Sequence, residues 1–211
     1  MKYTDEAYKE AIAVVVSDIH YSNASFTSKI ANIRRYSEII IRRLLGYDSD
    51  KQLTLGHHVT QDKLRKKGFT EKLITDAIAF INEEGSDRTH TQVIPVATKE
   101  EFENAISSLF DLYAYLFVDY FKRNPFGSNP DIMRAFSILP AEIRHTALLC
   151  LYELYPDNID IVDKLVLSMV KARGLEATQT WLEEHKEQLE LLSPELSSKD
   201  YRELIEKQGV V

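Results

Sequence analysis

TKEEFENAISSLFDLYAYLFVDYFK, residues 98–122, decides the fold class. Phe102, Ala105, Ile106, Leu109, Tyr113, Leu116, Phe117 and Tyr120 recur at the three-and-four spacing of a single helix face. Thr98 with Glu101 forms a capping box, a hydroxyl and a carboxylate that satisfy the first free backbone N–H groups from both sides. A start signal followed by so long a stripe predicts a helix over 98–122. Its aromatic residues read as core rather than as a base-stacking surface.

The same period continues on both sides. Upstream, residues 70–84 predict a helix capped by Thr70, with Leu73, Ile74, Ala77, Ile78 and Ile81 on its apolar face and Gly85 as its stop. Residues 25–45 predict another, ended by Gly46, and 61–67 a short one in a polar connector. Residues 4–18 predict a first helix, with Thr4 as cap and Asp5 and Glu6 at the positive end of the dipole. Downstream, RNPFGSNPD at 123–131 reads as a linker, and five of the six prolines lie at or after Pro125. Asn129-Pro130 is a cap followed by proline at the first helical position. Helices are expected at 130–138, 141–154, 158–173, 175–192 and 198–207, with Gly174 joining two of them into a hairpin. The expectation is an all-α protein: a helical bundle over 1–124, then a smaller, acidic helical module over 125–211.

The chain is 44% hydrophobic and 28% charged, enough to bury a core. One cysteine, Cys150, excludes an internal disulfide framework and a cysteine-rich zinc site; in the run ALLCLYELY it reads as a buried thiol. No secretory signal and no apolar run of about 20 residues is present, so a cytoplasmic protein without a membrane span is expected. The net charge of −7 opposes indiscriminate nucleic-acid binding. Residues 125–211 carry 9 basic against 15 acidic side chains, whereas residues 23–67 carry 10 basic against 4 acidic.

Chemistry gathers at residues 81–90, INEEGSDRTH, where Asn82, Ser86, Asp87, Arg88 and His90 crowd a predicted helix end. Arg35 and Arg42 lie seven apart on the polar side of the 25–45 helix with Glu38 between them, either as a solvated ion-paired face or as a phosphate-facing pair. His57 and His58 are adjacent; neighbouring side chains diverge, and no further ligands are evident, so no metal site is assigned. Trp181 reads as a packing anchor, and His145 and His185 stand without evident partners.

Three pieces in order and spacing resemble the HEPN superfamily (higher eukaryotes and prokaryotes nucleotide-binding), in the uncharacterised bacterial branch found with restriction and phage-defence genes. They are SKIANIRRYSEIIIRRLLGY, KGFTEKLITDAIAFINEEGSDRTHTQ and ATKEEFENAISSLFDLYAYLFVDYF, within residues 5–123. Gly85 and His90 match the branch's corner motif; its Asn falls on Ser86 and its Arg on Asn82. The run at 155–185 faintly resembles one tetratricopeptide unit. The HEPN resemblance implies a homodimer, and in active members an Arg and a His that cleave RNA without metal.

Two functions follow. The first is a non-catalytic, HEPN-like dimerisation module in a bacterial defence or stress setting. It would contact RNA or a nucleotide through Arg35, Arg42 and Asn82, while the acidic half recruits a protein partner. Ser86, Asp87 and His90 would then serve the helix ends. The alternative is a metal-independent endoribonuclease, with His90 as acid and base, Arg88 as phosphate clamp, and Ser86 and Asp87 in the same corner. Neither needs a cofactor.

Overall fold

The computed structural model of the protein describes residues 23–47, 51–87 and 96–192, together with Glu10, Val14 and residues 17–19. Among these residues the protein is all-α and contains no strand. The helices are α1 (Phe26–Leu45), α2 (His58–Lys66), α3 (Lys72–Asp87), α4 (Lys99–Arg123), α5 (Pro130–Ser137), α6 (Ala141–Leu154), α7 (Ile159–Arg173), α8 (Leu175–Glu184) and α9 (Lys186–Leu192). Contacts divide the chain into Met1–Leu116 and Phe117–Val211, a division that falls inside α4. The expected helix at 198–207 and most of that at 4–18 lie outside the described residues.

In the first unit, local signals set the helix ends. The Ser25 hydroxyl accepts from the Ser28 N–H at 3.3 Å, and Gly46, in the left-handed conformation, closes α1. The Thr98–Glu101 box forms in full: the Thr98 N–H donates to the Glu101 carboxylate at 2.7 Å, and the Glu101 N–H donates to the Thr98 hydroxyl at 3.2 Å. The α3 start differs from expectation. Thr70 does not cap it; the helix begins at Lys72, and Glu71 takes the cap position, its carbonyl accepting from the Thr75 N–H. The Glu71 carboxylate also accepts from the Thr70 N–H and the Tyr115 hydroxyl.

The core of this unit joins Ile33, Ile40 and Ile41 of α1 with Ile74, Ile78 and Ile81 of α3 and Leu109, Leu112 and Tyr115 of α4. Phe26 stacks on Phe102 at 5.2 Å, tying the start of α1 to that of α4. Of the stripe read on α4, only Ala105 and Leu109 are buried and the other six residues are half-buried; the helix turns its deepest residues, Leu112, Ala114, Tyr115 and Val118, from beside that stripe.

Gly85 corrects a second reading. It does not stop α3, which continues to Asp87, and it is buried. An added Cβ would lie 2.8 Å from Cδ, 3.1 Å from Cβ and 3.3 Å from Cγ of Arg34. The glycine therefore serves close approach: it lets the aliphatic stem of an α1 arginine lie on the α3 backbone.

In the second unit, the Asn129 side chain accepts from the Asp131 and Ile132 N–H groups, and Pro130 opens α5, as the Asn-Pro pair predicts. Phe121, Phe126 and Phe136 pack together. The most extensive helix pair is α6 with α7, burying Ala147, Leu148 and Leu151 against Ile161, Val162, Leu165 and Val166. Gly174 (φ 86°, ψ 173°) ends α7 and starts α8. The expected 175–192 helix is broken at His185, whose ring nitrogen Nδ1 lies 2.8 Å from the Trp181 carbonyl. His185 stacks on Trp181 at 4.3 Å, and Tyr152 meets both rings edge-on, so His185 is not partnerless and Trp181 is a packing anchor.

His145 and Cys150 are buried in α6. Burial, with Arg173 adding to it, holds the His145 pKa below its ordinary 6.5. The unfolded chain then binds the proton more readily than the folded one, so this contribution to stability is complete above about pH 6.5 and falls as pH drops below it. The urea midpoint is expected to decline more between pH 7.5 and 5 in the wild type than in His145→Leu. Parallel declines would refute the assignment.

Candidate nucleic-acid interface

The polar side of α1 carries four charged residues within nine positions. Arg34 Nε lies 3.7 Å from Glu38 Oε1, with side-chain exposures of 14% and 31%. Burial pushes the Glu38 carboxyl up, outweighing the opposite pull of Arg34, Arg42 and Arg35. Arg34 Nη1 is buried without a hydrogen-bond partner. Arg35 is exposed, and the Arg42 guanidinium donates to the Lys51 carbonyl at 2.7 Å. The expected arrangement of Glu38 between Arg35 and Arg42 thus holds on the helix surface, but the ion pair forms with Arg34. The reason is Gly85: its bare backbone gives Arg34 a seat on α3 that its neighbour Arg35 does not reach.

Asn82 is half-buried on α3. A Cβ on Gly56 would lie 2.6 Å from both its amide nitrogen and its amide oxygen, so Asn82 braces the turn before α2. Ser86 and Asp87 are the last two residues of α3 rather than loop residues. Arg88 and His90 lie outside the described residues.

A second group surrounds the end of α1. The Lys51 and Lys63 ammonium groups lie 5.0 Å and 5.1 Å from the centre of the Tyr47 ring. Lys67 Nζ donates to the Leu45 carbonyl at 2.6 Å, where the negative end of the α1 dipole favours a cation. Arg43, on the last turn of α1, and Lys66, the last residue of α2, are exposed. In the sequence this gathering shows only as the basic excess over 23–67, because its members come from α1, a loop and α2. His57 is structural here. Its Nδ1 accepts from the Val59 N–H and caps α2, and its ring stacks on His58 at 4.4 Å. No group of three or more His, Cys, Asp or Glu is placed to hold a metal among the described residues.

The second unit offers a different surface. A cleft of about 310 Å³ is lined by Phe121, Pro125, Phe126, Tyr155, Asn158 and Ile161, among others. Leu154, Tyr155 and Ile159, at the turn between α6 and α7, are large apolar residues left exposed. Among the described residues, no helix of either unit is long and apolar enough to cross a membrane. Comparison of the chain with protein-family models, with curated proteins and with solved structures returned no match.

Proposed function

We propose that the protein is a non-catalytic, HEPN-like interaction module that binds RNA through its first unit and a protein partner through its second. The observation that carries this reading is the arginine row of α1. Arg35 and Arg42 share one side of the helix with Arg34, around a single half-buried carboxylate. A planar guanidinium group carried on a helix can donate two parallel N–H bonds to two oxygens of one tetrahedral phosphate. The overall charge of −7 makes such binding local: the positive row draws a polyanion that the rest of the chain repels. The exposed apolar residues Leu154, Tyr155 and Ile159 support a protein contact on the second unit. A homodimer belongs to the same reading, with light scattering as its measure.

The test is fluorescence anisotropy with a labelled single-stranded RNA 20-mer across a salt series. Wild-type affinity is expected to fall as salt rises. Arg35→Gln is expected to weaken binding about 3- to 10-fold and to flatten the salt dependence by about 0.7 in log–log slope. Binding that ignores salt, or ignores Arg35, would sink the reading. Cleavage of the same RNA in EDTA, abolished by His90→Ala, would replace it with the endoribonuclease.

A further inference from the structure

We infer that the Tyr47-centred lysine pair is a second contact for nucleic acid, adjoining the arginine row at Arg42, and that it recognises the phosphate backbone without regard to base. The inference rests on the RNA-binding reading of the first unit and adds to it a site and a ligand class.

The two ammonium groups sit on one ring, at 5.0 Å and 5.1 Å from its centre, and so within roughly 10 Å of each other. Two exposed cations that close repel one another. Among the described residues no carboxylate is ion-paired to Lys51, Lys63 or Lys67. The surroundings hold the pair in place. The Arg42 guanidinium fixes the backbone of Lys51 to α1, Lys63 is carried on α2, and Lys67 closes the α1 end by donating to Leu45. Arg42 and Lys67 therefore build the platform, and Lys51 and Lys63 are the cations it presents.

The ring decides what kind of contact follows. An aromatic ring that binds single-stranded nucleic acid does so by offering a face on which a base stacks. Tyr47 instead has lysine ammonium groups over its ring, which leaves charge as the recognising feature. A separation of at most about 10 Å spans no more than about three phosphate spacings along a strand, at about 3.4 Å per charge, so both cations can reach one short stretch of backbone. The matching ligand is a linear polyphosphate backbone, and in this protein we assign it to RNA.

The experiment uses the full chain with labelled 20-mers of oligo(A), oligo(U) and oligo(C), and inorganic polyphosphate of similar charge as competitor. Wild-type affinities for the three oligomers are expected to agree within about 3-fold. The double variant Lys51→Gln/Lys63→Gln is expected to bind all three about 10-fold more weakly, with the log–log salt slope reduced by about 1.4, two phosphate contacts at about 0.7 each. Tyr47→Leu, which removes the ring and keeps both charges, is expected to weaken binding less than the double variant.

A wild type that binds while the double variant binds equally well overturns this site and leaves the arginine row standing. A preference above 10-fold for one base overturns the backbone assignment. Polyphosphate that binds the pair while RNA of equal charge does not overturns the choice of RNA. A wild type that binds none of the oligomers overturns both this inference and the function on which it rests.

Discussion

Gly85→Val is expected to destabilise the first unit by about 2–3 kcal/mol, the range of a side chain forced into a filled space. Glycine inside a helix ordinarily costs about 1 kcal/mol relative to alanine, more than valine does, so on propensity alone the change to valine would help slightly. Contact geometry reverses the sign. The first added carbon already meets three carbons of Arg34, at 2.8, 3.1 and 3.3 Å, and two of them lie near the base of that side chain. The Arg34 Cβ cannot move without moving α1, and Cγ and Cδ can move only by leaving the rotamer that pairs Arg34 with Glu38. The Arg34→Ala background separates this cause from a general loss of helix. There the same glycine change should cost no more than about 1 kcal/mol, a coupling that a double-mutant cycle in urea resolves. Equal costs in both backgrounds would show that the two helices do not meet at this point.

The second large effect lies in the other unit. Leu151→Ala is expected to cost about 3–4 kcal/mol, because Leu151 is fully buried in α6 and its removal leaves a cavity between close-packed helices. Leu191→Ala is the matched control: the same chemical change at a residue 84% exposed should shift stability by less than about 0.5 kcal/mol. The single tryptophan, Trp181, packs against Tyr152 of α6, so its fluorescence reports the unfolding of this unit directly. A loss below about 1 kcal/mol at Leu151 would contradict the packing of α6 on α7.

Elements with a chemical signal at their ends are legible in the sequence. Ser25 and Gly46, Thr98 with Glu101, Asn129 with Pro130, and Gly174 all stand where local hydrogen bonding and backbone freedom require them. Gly85 misleads because two demands give the same letter. A left-handed helix end and a close approach by another helix both call for glycine, and only the partner, Arg34, tells them apart. The interruption at His185 is invisible for a related reason, since neither glycine nor proline marks it.

For the candidate site, spacing places Arg35 and Arg42 on one side of α1, because that depends only on the helix period. Arg34 escapes such a reading, since its partial burial depends on α3. Asn82 reads as a ligand contact but is held by the turn at Gly56, a neighbour 26 positions away in sequence. The Tyr47 cluster leaves a trace only in the charge count, as its lysines converge through tertiary packing.

Gly174 closes α7 and opens α8 with no residue between, at a φ of 86° and a ψ of 173° that side chains bearing a Cβ rarely adopt. This joint has no slack. A residue added or removed there would turn α8 by about 100° about its own axis, at 3.6 residues per turn, and carry Trp181 away from Tyr152. Among chains that share this hairpin, length variation should therefore gather at the longer connectors. The joint itself should behave as a fixed spacer, intolerant of insertion although it is exposed to solvent.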